Sequence, residues 1–246
     1  MNKDPLPIDR RRFLQWLGGG LLFGGAAVLG LRGCGLPPAE VTLVPGTTLP
    51  PETRRNWSWE IRWIGGAPRV DVATWQLTLD GMVQAARELT MADLRALPVT
   101  TLHLRMKCVE CWSGPAEWTG VAGRDLLALV EPLPEAGYVT LYALDGYTST
   151  LPLDELRADR VLFVYGMDGQ DLPAQHGAPL RLIAPSKYGY KCVKAISRLE
   201  FGSEYTPGYW EVRGYDNVGT IQPGFDHPLD LGRTAWPIEG GEITEY

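Results

Sequence analysis

The sequence predicts an α+β domain with mixed sheets, and three observations carry that expectation. Short stretches of alternating polarity, the pattern of half-buried strands, recur along the chain. Short segments of helical spacing fall between them without the regular strand–helix–strand rhythm of a doubly wound fold. From residue 56 onward neither an internal repeat nor a second linker interrupts the pattern, so a single domain over 56–246 is expected.

The elements follow in order. "TWQLTLDG" (74–81) alternates and ends on Asp80-Gly81, a turn signal. "TMADLRAL" (90–97) opens a helix, because Thr90 and Asp93 have the spacing of a capping box. "TTLHLRMKCVE" (100–110) alternates again. "AGRDLLALVE" (122–131) has helical spacing and stops before Pro132. "YVTLYAL" (138–144), "RVLFVYGM" (160–167), "LRLIAP" (180–185) and "KAISRLEFGS" (194–203) read as strands, and "LPLDELRA" (151–158) as a short helix.

The N-terminus is set apart from the fold. Arg10-Arg11-Arg12-Phe13-Leu14, followed by an uncharged run to Leu31, is similar to a twin-arginine export signal over residues 1–35. A retained membrane anchor is the alternative, since the run is long enough to span. Leu31-Arg32-Gly33-Cys34 resembles a lipoprotein cleavage box, which would leave a lipidated Cys34. Either outcome places the domain in the periplasm or otherwise outside the cytoplasmic membrane. Residues 36–55 are proline-rich and lack periodicity, as expected of an extended tether.

Charge excludes one class of partner. The chain carries a net charge of −6, and residues 1–34 contribute +3 of it, which leaves −9 for the remainder. So acidic a body does not suit nucleic acid. Basic residues gathered within it therefore need a local explanation.

The four cysteines are Cys34, Cys108, Cys111 and Cys192. Cys108-Val109-Glu110-Cys111 has the spacing of zinc, haem and dithiol sites. A structural zinc site needs a second pair, and the histidines His103, His176 and His227 are scattered. Haem attachment needs a histidine after the second cysteine, where Trp112 stands. A thioredoxin-like dithiol wants a helix starting at the motif, but Gly114-Pro115 soon follows. That dithiol reading, a disulfide and an ordinary buried cysteine all stay open from spacing alone.

"RMKCVECWSGPAEWTGVAGRDLL" (105–127) resembles the molybdenum-binding segment of the sulfite oxidase family of molybdopterin enzymes. It is most similar to the export-targeted branch that includes a periplasmic methionine-sulfoxide reductase catalytic subunit. "DGYTSTLPLDEL" (145–156), "DGQDLPAQHGAPLRLIAPSKYGYKCVKAISRLEF" (168–201) and "PGYWEVRGYDN" (207–217) follow the family's order of motifs, so the resemblance covers roughly 56–217. It implies a mixed-sheet, sulfite-oxidase-type molybdopterin-binding fold and a Mo-molybdopterin cofactor.

The resemblance also assigns residues. Cys108 matches the single protein ligand to the metal; with the pterin sulfurs and oxo groups completing the shell, one soft thiolate suffices. Glu110 would be a catalytic carboxylate relaying protons. Arg181 and Lys194 match cofactor-contacting positions, with His176, Lys191, Cys192 and Val193 beside them, and cations suit a phosphate. "NWSWE" resembles a pterin-contacting segment through Asn56, Trp59 and Glu60.

The implied reaction is oxygen-atom transfer, reduction of an S-oxide or N-oxide, on a small-molecule or protein-bound oxide. Sulfite-type oxidation on the same cofactor and a periplasmic dithiol oxidoreductase are the alternatives. No haem domain is expected within 56–246, so electrons would pass to or from a separate partner, of which a membrane haem protein is one kind.

Overall fold

A computed structural model of the protein describes residues 59–232 and 235–244. The expected signal, the tether, Cys34 and Asn56 lie outside the described residues. Among the described residues no helix is long and apolar enough to cross a membrane.

Among the described residues, twelve strands and two short α-helices build the domain. β1 (Gln76–Gly81) buries Leu77 and Leu79 completely and leaves Gln76 and Gly81 outside. Each such leucine stabilises the fold by roughly 2 kcal/mol. β2 (Arg87–Thr90) pairs back antiparallel on β1. Helix α1 (Met91–Ala96) starts at the predicted box: Thr90 Oγ1 accepts from the Asp93 amide, and Asp93 accepts from the Thr90 amide. β3 (Val99–Lys107) runs into β4 (Trp112–Ala122), and helix α2 (Gly123–Val130) follows with Leu126, Leu127 and Val130 inward. β5 (Tyr138–Ala143), β6 (Thr148–Pro152), β7 (Leu162–Met167), β8 (Gln170–Asp171) and β9 (Arg181–Ile183) come next. β10 (Ile196–Gly202), β11 (Gly224–Pro228) and β12 (Trp236–Ile238) complete the series.

One five-stranded sheet has the order β2-β1-β10-β5-β6, with β1 and β10 parallel and the other neighbours antiparallel. A seven-stranded sheet has the path β12-β11-β4-β7-β8, with β3 beside β4 and β9 beside β7. The expected α+β, mixed-sheet, single-domain class is what the chain forms. One apolar cluster joins the sheets, with Trp118, Leu141, Leu151 and Phe163 fully buried in it. The segment 151–158 differs from expectation: its first residues finish β6, and Leu153–Arg157 is a 3-10 turn.

Candidate active site

A four-residue loop, Cys108 to Cys111, joins β3 to β4. The Cys108 amide donates to the Trp112 carbonyl at 2.8 Å and the Cys111 amide to the Cys108 carbonyl at 3.2 Å. Cys111 has a φ of +74°, which few side chains tolerate. Cys111 is disulfide-bonded, whereas Cys108 and Cys192 keep free thiols. The Cys-x-x-Cys is therefore not a bonded pair, and a Cys111–Cys192 disulfide does not form either.

The loop edges a cavity of about 380 Å³, a size that takes a cofactor or a small ligand. At its thiol end the Glu110 amide donates to Cys108 Sγ at 3.5 Å, and one Glu110 carboxylate oxygen lies 3.7 Å from that sulfur. Burial pushes the Cys108 thiol up to about 11, and the Glu110 charge adds to this. A metal bound to the sulfur would reverse that, since coordination favours the thiolate. Arg62 Nη2 reaches Glu60 at 2.7 Å and Glu110 at 3.0 Å.

A second part of the lining is cationic. Arg181 is buried; Nη1 donates to the His176 carbonyl at 2.9 Å, Nη2 lies 3.2 Å from Met106 Sδ, and the guanidinium sits 5.2 Å from the Trp118 ring centre. Its Nε is buried without a partner, as are His176 Nδ1 and Trp112 Nε1. Burial first, then the charges of Arg181 and Lys194, depress His176 to about 4. Burial and Arg181 bring Lys194 down to about 7. Lys194 donates to the Arg62 carbonyl and stands 4.1 Å from the Trp63 ring centre. Gly177, at φ +109°, makes room here: a Cβ would meet Lys194 Cβ at 2.7 Å.

Arg181 and Lys194 make no ion pair among the described residues, although Asp145 also lines the cavity and partly offsets Lys194. With three unpartnered buried N–H or ring-nitrogen groups they form a receptor for an anionic ligand rich in acceptors. A phosphorylated pterin has that chemistry. No cluster of three or more histidine, cysteine, aspartate or glutamate side chains able to hold a metal occurs among the described residues. A metal brought in by a cofactor needs no such cluster.

Of the residues expected at the site, Cys108, Glu110, Trp59, Glu60, His176, Arg181, Cys192, Val193 and Lys194 all line this cavity. Lys191 does not, and the structure corrects its placement. Its ammonium is wholly buried behind the wall and donates to the Thr150 carbonyl at 3.0 Å, to Tyr205 Oη at 3.3 Å and to Glu211. Lys187 is likewise consumed, by Glu155 at 3.0 Å and Thr220 at 2.9 Å. Trp59 packs edge-on against Trp112, Trp118 and His176, so it serves core and cavity together.

The sequence reading missed Arg62, Trp63 and an aromatic wall. Tyr147, Tyr209, Trp210 and Tyr215 follow one another with ring centres 4.8–5.7 Å apart. Tyr215 reaches the thiol end, where its phenol is raised by burial and then by Glu110 and Cys108. Three of these four stand in "PGYWEVRGYDN", a recognisable block whose spacing does not reveal that its rings line the cavity.

Comparison with known proteins identifies the family. The family model "oxidoreductase molybdopterin binding domain" matches residues 64–210. The uncharacterized oxidoreductase YuiH of Bacillus subtilis is 34% identical over 173 residues, which are 70% of this chain and 87% of the relative. The protein-methionine-sulfoxide reductase catalytic subunit MsrP of Ralstonia nicotianae is 32% identical over 173 residues, 63% of this chain; the match spans about half of that relative, 52%. Among solved structures, the sulfane dehydrogenase SoxCD from Paracoccus pantotrophus superposes with a TM-score of 0.58 at 21% identity, covering 89% of this chain and 63% of that one. That last likeness concerns the fold. The chain is an oxidoreductase of the molybdopterin-binding, sulfite oxidase family.

Proposed function

We propose that the protein reduces an S-oxide or N-oxide by oxygen-atom transfer on a Mo-molybdopterin cofactor, outside the cytoplasmic membrane. The observation that carries this reading is the division of the cavity. Its cationic end suits an anionic cofactor, and its thiol end joins one soft ligand to a carboxylate and an aromatic wall. Cys108 would bind the metal; Arg181, Lys194, His176, and the Cys192–Val193 backbone would hold the pterin and phosphate. Asn56, outside the described residues, belongs to the same proposal. The bound cofactor supplies a metal that accepts an oxygen atom and exchanges two electrons.

The chain's own groups do the rest. Glu110, its carboxylate 3.7 Å from the Cys108 sulfur, would hold and deliver the two protons that oxide reduction consumes along with two electrons. Arg62 holds that carboxylate in place. Tyr209, Trp210 and Tyr215 exclude water and pack against the apolar substituents of the oxide. Glu60 and Glu110 around a single guanidinium repel a free inorganic oxyanion more than a neutral oxide. This favours oxide reduction over sulfite oxidation, in line with the similarity to MsrP. Electrons would come from a separate protein, for which a membrane haem protein is suited. The arginines at 10–12 support export of the folded, loaded chain.

The test is a substrate panel. Loaded protein, a chemical electron donor and S-oxides or N-oxides should give turnover, whereas sulfite with an electron acceptor should not. Sulfite oxidation without oxide reduction would overturn the direction proposed.

A further inference from the structure

Residues 224–230 carry no motif and none of them lines the cavity, yet they hold the Cys108 loop. β4 has β3 along one edge, in register from Val99↔Val121 to Lys107↔Ser113. Its other edge is shared. β7 pairs with Trp118–Ala122, and β11 pairs in parallel with only Trp112 and Ser113, through His227 and Pro228. Two backbone bonds fix β11 there: the His227 amide to the Cys111 carbonyl at 2.9 Å and the Leu229 amide to the Ser113 carbonyl at 3.0 Å.

Side chains repeat the connection. Lys107, next to Cys108 and wholly buried, donates to Asp226 at 2.8 Å and to the Phe225 carbonyl at 3.3 Å. The other Asp226 oxygen accepts from Ser113 Oγ, across the hairpin from Lys107. Arg105, two residues back on the same strand face, makes a two-point bond to Asp230 at 2.7 and 2.8 Å. Residues on both sides of the loop are thus tied to two carboxylates of one short segment. A buried ion pair is poor at adding stability compared with apolar residues of similar size, but it is exacting about geometry. A hairpin loop held on one edge alone retains local freedom that a ligating sulfur must not have.

We propose that Asp226 is a positioning residue: through Lys107 and Ser113 it fixes the loop that presents the Cys108 sulfur, and residues 224–230 act as a clasp on the metal-binding hairpin. The inference relies on the proposed function only in taking Cys108 as the metal ligand.

The experiment measures alkylation of Cys108 by iodoacetamide in the cofactor-free full chain, read by peptide mass, well below the melting temperature. Asp226→Asn should raise the rate tenfold or more, and the remote exposed-pair variant Asp171→Asn should leave it unchanged. Because an unpaired Lys107 would itself activate the thiol, Lys107→Met/Asp226→Leu removes both charges and should still be faster than wild type. In loaded protein both variants should hold less molybdenum and show a shifted Mo(V) resonance. Folded variants with wild-type alkylation, metal content and resonance would overturn the clasp. If neither variant folds, hydrogen exchange on the wild type decides: the amides of Cys108, Cys111 and His227 should open together, and His227 exchanging freely while Cys108 stays protected would overturn it. A wild type without molybdenum would defeat the proposed function, while alkylation and exchange would still test the clasp.

Discussion

The cavity wall and the cavity interior each receive a lysine from one short segment, and they treat it in opposite ways. Lys191, behind the wall, is fully buried and meets Glu211, itself fully buried, so charge is matched where water is absent. Lys194, three residues on, is desolvated beside Arg181 and donates only to a carbonyl, and it is depressed to about 7. A buried cation already given its counter-charge is part of the framework. One left short of a counter-charge is set to receive an anion.

The largest effect that would break this comparison is on stability. Lys191→Met should cost about 3–5 kcal/mol, because Glu211 is left as an unpaired buried carboxylate. Denaturant melts should show this, and the double variant Lys191→Met/Glu211→Leu should recover most of it. If Lys194→Met proved equally destabilising, the contrast would fail. Lys194→Met should instead leave the cofactor-free protein unchanged or up to about 1 kcal/mol more stable, by removing a desolvated charge. Its cost should fall on the cofactor: about tenfold or more faster loss of pterin on dilution, from a forfeited charge-assisted contact.

A smaller effect comes from pH. His176 is held near 4 in the fold against about 6.5 in the unfolded chain, so the unfolded chain binds more protons between those values. Stability of the cofactor-free protein should therefore be full above pH 6.5 and fall as pH drops towards 4, by roughly 1–2 kcal/mol after screening. His176→Gln should flatten that slope. A slope of the same size in the variant would assign it to other groups.

Local patterning made much of the fold legible, and long-range pairing hid the rest. The alternation of β1 and the Thr90–Asp93 cap were readable because each is decided within a few residues. β4 was not. Gly114-Pro115 looks like an interruption, since proline breaks a central ladder. Pro115 survives because it faces Arg105 on one edge and, on the other, falls between the stretches paired to β11 and β7. That Cys108, Arg181 and Lys194 would meet in one cavity was legible only through the resemblance. Lys191 was misplaced because its partner Glu211 lies 20 residues away, and nothing in the sequence says which lysine a buried glutamate will claim. Arg62 gave no signal, because its role depends on Glu110, 48 residues distant.

The central claim is that one of the two free thiols at the cavity is the metal ligand, and that it is Cys108 rather than the buried Cys192. Molybdenum per chain, measured for wild type, Cys108→Ser and Cys192→Ser purified from a host that makes molybdopterin, tests it most directly. The account predicts stoichiometric metal in wild type, near-complete loss in Cys108→Ser and retention in Cys192→Ser. A Cys108→Ser protein with its full complement of molybdenum would contradict it.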